Sequence, residues 1–160
     1  MDNLIPWLKS TRAIRPMAGG AGRRRALAKA IYALNYYQLG IIRNCINTFK
    51  EQALSSIITP TVVLIYGLGG GTGSGIFFDF VKHLRKMLGS GVPIIAFVIT
   101  PCGGDDPPAK GCSAFTAMNE LTLLLNKDYN EYVSKQFGEL YRNPLNALVY
   151  LPLLPAFSKV

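Results

Sequence analysis

The stretch Thr61-Val62-Val63-Leu64-Ile65-Tyr66-Gly67-Leu68-Gly69-Gly70-Gly71-Thr72-Gly73-Ser74-Gly75 decides how the rest of the chain is read. Its first six residues are β-branched or apolar without alternation, which predicts a short strand buried on both faces, as in a parallel sheet. A glycine cluster follows at once. Ile76, Phe77, Phe80, Val81, Leu84, Met87 and Leu88 then recur at helical spacing until Gly89-Ser90-Gly91 stops the pattern. A strand, a glycine bend and a helix in direct succession form half of a βαβ unit.

Working outward, the same alternation continues. Pro93 to Thr100 predicts a second buried strand, and a polar loop runs from Pro101 to Gly111. A third helical pattern passes through Phe115, Met118, Leu121, Leu124 and Leu125, and Leu145–Leu151 offers a third strand. On the N-terminal side, Leu27, Ala30, Ile31, Leu34, Tyr37, Ile41, Ile42, Cys45, Ile46 and Phe49 predict one long amphipathic helix from Arg23 to about Gln52, with Gly40 inside it. Residues 1–22 hold Pro6, Pro16 and Ala18-Gly19-Gly20-Ala21-Gly22, and read as an irregular segment ending in a glycine turn. The expected fold is α/β: a Rossmann-like three-layer parallel sheet with flanking helices, occupying residues 23–160.

Composition narrows the function classes. The chain has 160 residues, 49% hydrophobic and 16% charged, enough apolar surface for a core. Its longest apolar runs are interrupted by prolines or threonines, which argues against a membrane span. Met1-Asp2-Asn3 lacks the basic start of a secretory leader. Cys45, Cys102 and Cys112 are too few and too widely spaced for a disulfide framework or a zinc knuckle. A cytoplasmic location is the expectation. The net charge of +8 resides entirely in residues 1–50, where nine bases face the single acid Asp2. Such a run can bind phosphates of a polymer or of a small ligand, or form a solvated helix face.

Six glycines in the nine residues Gly67–Gly75 exceed the needs of a turn, since each extra one costs ~0.5–1 kcal/mol of chain entropy. Their backbone amides can converge on an anion, the following helix adds its unpaired N–H groups, and Thr72 and Ser74 can add hydroxyls. A phosphate is the natural occupant. No lysine follows the cluster until Lys82, which excludes a P-loop. No register of the cluster supplies the dinucleotide fingerprint, and the second strand ends in Thr100-Pro101 instead of the acid that grips a ribose.

Gly69-Gly70-Gly71-Thr72-Gly73-Ser74-Gly75 resembles the GGGTGSG signature of the tubulin/FtsZ family of GTP-dependent filament proteins. Ala18–Gly22 is similar to that family's glycine- and alanine-rich loop near the terminal phosphate, and Thr100-Pro101 to the start of its loop near the ribose. The resemblance implies GTP or GDP as ligand, with Mg²⁺ a candidate companion. It implies a phosphate site made from Gly19, Gly20, Ala21, Gly22, Gly69, Gly70, Gly71, Thr72, Gly73, Ser74 and Gly75. Arg23–Arg25 would begin the long helix beside it, facing either the nucleotide or solvent. It also implies head-to-tail self-association, with GTPase chemistry as the expected activity. The family's loop for the α- and β-phosphates, its guanine-reading helix and its acidic catalytic loop have no counterpart here, so the chain is expected to be a partial domain without catalytic residues of its own. Leu151-Pro152-Leu153-Leu154-Pro155 stands where the family has a polar turn.

Two alternatives remain: a degenerate scaffold that no longer hydrolyses nucleotide, and a basic nucleic-acid-binding module on residues 9–50, which is disfavoured. Asp105 and Asp106 could ligate Mg²⁺ but fit a turn better. His83, the only histidine, has no spaced metal partner and is expected at the surface. Cys102 and Cys112 are read as structural.

Overall fold

The computed structural model describes residues 20–137 and 142–152. Helix α1 (Arg25–Ala33) widens into a π-helical turn, Leu34–Gln38, and is followed by α2 (Ile41–Ala53). Strand β1 (Val62–Gly67), helix α3 (Gly71–Leu88) and strand β2 (Ile94–Thr100) form the βαβ unit. A π-helical stretch, Ala109–Phe115, leads into α4 (Thr116–Leu125), and α5 (Lys127–Phe137) precedes strand β3 (Ala147–Pro152).

The three strands lie in the order β1-β2-β3, all parallel. Val62 pairs with Ile94 and Gly67 with Ile99, so the first two strands end level. The sheet is parallel with flanking helices, as the alternation of strand and helix predicts. One face supplies Val62, Ile94, Ala96 and Val98 to a core shared with Phe77, Val81 and Leu84 of α3 and Leu121 of α4. Burial on both faces was expected of the strands. Among the described residues the opposite face is open instead, with Val63, Ile65, Val149 and Leu151 exposed.

Three other expectations are corrected. The single helix over 23–52 is two, because Leu39 N–H reaches back five residues to Leu34 O (3.0 Å) and Gly40 then takes φ +71°. The left-handed glycine redirects the chain, and α2 adds its Ile46 to the core cluster that holds Val62 of the edge strand β1. Phe115 and Met118, placed on the inner stripe of the third helix, are exposed, while Leu121 and Leu124 are buried. The π-helical stretch before α4 has a wider turn than the ordinary helical period assumes.

His83 is the third correction. It is 3% exposed, with Nδ1 2.8 Å from the Tyr32 hydroxyl and Nε2 2.8 Å from that of Tyr37. Its ring stacks on Tyr36 at 3.7 Å between centroids. α3 is covered on one side by the sheet and on another by α1, so a residue off its main apolar stripe still becomes buried. Burial, reinforced by the charge of Asp79, pushes the Tyr32 hydroxyl well above its ordinary range. Among the described residues no helix is long and apolar enough to cross a membrane.

Candidate functional site

α3 begins inside the glycine cluster, at Gly71, with Gly70 as its extended cap residue (φ −90°, ψ 155°). Five consecutive residues with poor or middling helix propensity thus open an 18-residue helix. Packing explains three of its glycines. A Cβ on Gly71 would sit 2.5 Å from the carbonyl carbon and Cα of Arg23. On Gly73 it would meet Gly67 O at 2.9 Å, and on Gly75 it would meet Arg25 O at 2.8 Å and the Ala28 Cβ at 3.0 Å. Only a bare backbone lets the start of α1 lie this close to α3. Gly67 and Gly70 have no such neighbour within 4 Å; the space beside them is open. Gly69 lies between these cases, with Pro101 and Ala109 at 3.4 Å.

The two glycine segments meet. Ala21 N–H donates to Thr72 Oγ1 (3.1 Å), and Gly20, Gly22 and Arg23 all take left-handed backbone angles to make the approach. Gly19 lies outside the described residues. Thr72 is exposed and its own hydroxyl proton remains able to donate. Ser74 is buried and its hydroxyl donates to Gly70 O, closing the first turn of the helix. The amides of Gly71, Thr72 and Gly73 have no acceptor within an α-helix, and no loop hydrogen bond among the described residues uses them.

This turn opens on a cleft of about 570 Å³ at the carboxyl ends of β1 and β2, bounded by Gly67, Gly69, Gly70, Thr100 and Pro101. Parallel α/β sheets bind their ligands at that end. Arg23 and Asp106 face each other across the cleft and form an ion pair. Asp105 is engaged elsewhere: its Oδ2 accepts the Cys102 N–H at 2.7 Å, which makes it a turn residue. As placed, the two aspartates do not make a metal pair, and among the described residues no cluster of three or more His, Cys, Asp or Glu could hold an ion. A second cavity, about 320 Å³ between α2 and β1, is lined almost wholly by apolar side chains and has no donors for a phosphate.

The three arginines that open α1 have separate fates. Arg23 reaches the cleft, Arg24 is exposed, and Arg25 bonds Ser74 O (3.0 Å) and Glu120 Oε2 (2.5 Å). Lys29 lies near Asp79 and Glu120, and Lys82 pairs with Asp79 at 3.3 Å. Burial pulls Lys82 below its ordinary range, partly offset by Asp79. Among the described bases of the N-terminal charge run, Arg23, Arg25 and Lys29 are paired with acids of the fold, while Arg24 and Arg43 are exposed. Sequence reasoning missed the Arg23–Asp106 contact, which joins residues 83 positions apart; no local signal announces such a pair.

A family model described as "Tubulin like" matches residues 1–148. The chain belongs to the tubulin-like family. No match was found among curated proteins or among solved structures. In this tubulin-like chain Gly69 and Gly70 lie in the loop and Gly71–Gly75 in α3, and the cleft beside them is walled by the ends of two parallel strands.

Proposed function

We propose that this tubulin-like protein binds a guanine nucleotide, GTP or GDP, with the phosphates seated at the N-terminus of α3. The observation that carries the proposal is the row of amides at Gly71, Thr72 and Gly73, unused among the described residues and opening on a cleft where Gly67 and Gly70 leave room for close approach. The end of a long helix adds roughly half a positive charge. Thr72 would donate its hydroxyl, and Arg23 would add a cation from the rim. Gly20, Ala21 and Gly22 would position Thr72, and Ser74 would hold the turn closed. The preference for guanine, head-to-tail assembly and hydrolysis enter this proposal through family membership; a heterologous contact of that kind produces open polymers.

The packing duties of Gly71, Gly73 and Gly75 favour a second reading, a scaffold that keeps the turn for its helix contact alone. Titrating the protein and its Gly70→Asp variant with GTP, GDP and ATP by calorimetry separates the two. Asp at position 70 suits the cap geometry and the open space, so the variant folds, but its carboxylate repels phosphate. GTP binding that falls at least about tenfold, some 1.4 kcal/mol, supports the nucleotide site. Equal affinity in both proteins removes the site from this turn.

A further inference from the structure

Asp106 is a carboxylate placed in a cleft whose other features suit an anion. Its Oδ2 is paired with Arg23, while its Oδ1 is buried and has no hydrogen-bond partner among the described residues. Its position is fixed by the chain, because the Asp106 carbonyl accepts the Ala109 N–H (3.1 Å) and starts the helical stretch that follows. Arg23 is equally fixed. It is the one non-glycine residue described with a positive φ (63°), held there by the Arg24 N–H to Ala21 O bond (2.9 Å) and by the close approach to Gly71. That backbone is uncommon for a residue other than glycine, so the placement of Arg23 beside the N-terminus of α3 comes at a cost to the fold.

We propose that the Arg23–Asp106 pair is an autoinhibitory latch, in which the Asp106 carboxylate competes with a ligand phosphate for the Arg23 guanidinium. This rests on the nucleotide site proposed above. Carboxylate and phosphate oxygens are alternative partners for the same planar donor. Both side chains are partly solvent-exposed (54% and 39%), and an ion pair in that setting is weak enough for a multiply charged phosphate to displace. On displacement, Asp106 swings off the guanidinium and the loop between Pro101 and Pro108 loses its tie to the segment before α1. The latch thereby sets a threshold: only a ligand with enough negative charge to outcompete an internal carboxylate gains Arg23.

The test is GTP affinity by calorimetry for the full chain and for Asp106→Asn, Arg23→Gln and the double variant, each with Mg²⁺ and with EDTA, after checking that unfolding midpoints agree. Asp106→Asn is expected to bind roughly three- to tenfold more tightly, with the gain shrinking as salt rises. Arg23→Gln is expected to bind more weakly, and to reduce the gain from Asp106→Asn. Unchanged affinity in Asp106→Asn overturns the latch while leaving the nucleotide site standing, provided that the parent binds. Weaker binding in Asp106→Asn only when Mg²⁺ is present also overturns it, and makes Asp106 a metal-side ligand. If neither the parent nor Asp106→Asn binds GTP while both are folded, the latch and the nucleotide site fall together.

Discussion

The glycine cluster divides at Gly70 into two regions built from the same residue and used in opposite ways. From Gly71 to Gly75 the missing side chains are filled by other backbone: the Arg23–Ala28 segment lies directly on the helix, and Gly67 O lies against Gly73. From Gly67 to Gly70 two of the missing side chains face open space beside the cleft. A single count of glycines merges a helix-packing device with a ligand-accommodating one. The physical distinction is what a Cβ would touch, and it separates the adjacent residues Gly70 and Gly71.

Substitutions can break or sharpen that division. The largest effect is expected at Gly71. Gly71→Val drives its Cβ into the Arg23 and Arg24 backbone and should lower unfolding stability by about 3 kcal/mol or more, read as a collapse of the denaturant midpoint. Loss of nucleotide binding in that variant therefore reports on folding. Gly75→Ala comes next. Ala is the better helix former by about 1 kcal/mol, but crowding by Arg25 O and the Ala28 Cβ should leave a net loss of roughly 1–2 kcal/mol in equilibrium unfolding. A gain in stability would mean that α1 can retreat from α3. The smallest effect belongs to Gly70, where Asp should leave the midpoint within about 0.5 kcal/mol of the parent, or slightly above it. A Gly70→Asp protein that unfolds readily would erase the contrast between the two regions.

Much of the frame was legible because it depends on local pattern. Each strand starts and ends within two residues of its expected place, and α3 follows the stripe from Phe77 to Leu88. Parallel pairing follows from alternation of strand and helix, which is a topological constraint independent of detail. The errors have two causes, local backbone geometry that the regular helical period does not show and contacts between residues distant in sequence. Gly40 lies inside the helical stripe, and its decisive property is access to positive φ. His83 was judged by its own helix, whereas the informative residues were Tyr32, Tyr36 and Tyr37 on another element, whose polar tips need partners when buried. The cleft was only half legible. The glycine turn and Thr100-Pro101 could be placed at its mouth, and the turn reading of the two aspartates holds for Asp105, whereas Asp106 enters a long-range ion pair with Arg23. The hydroxyl of Ser74 was expected to face a ligand and is committed to Gly70 O.

The stacking of His83 beneath Tyr36 has a consequence for spectroscopy. Since the chain has one histidine, its imidazole protons give a single unambiguous pair of resonances. With an aromatic ring centred 3.7 Å away and its plane nearly parallel (13°), ring current moves those resonances upfield of a free imidazole. Their chemical shift is a label-free gauge of whether α1 remains docked on α3, readable in the intact protein and independent of any bound ligand's own signals.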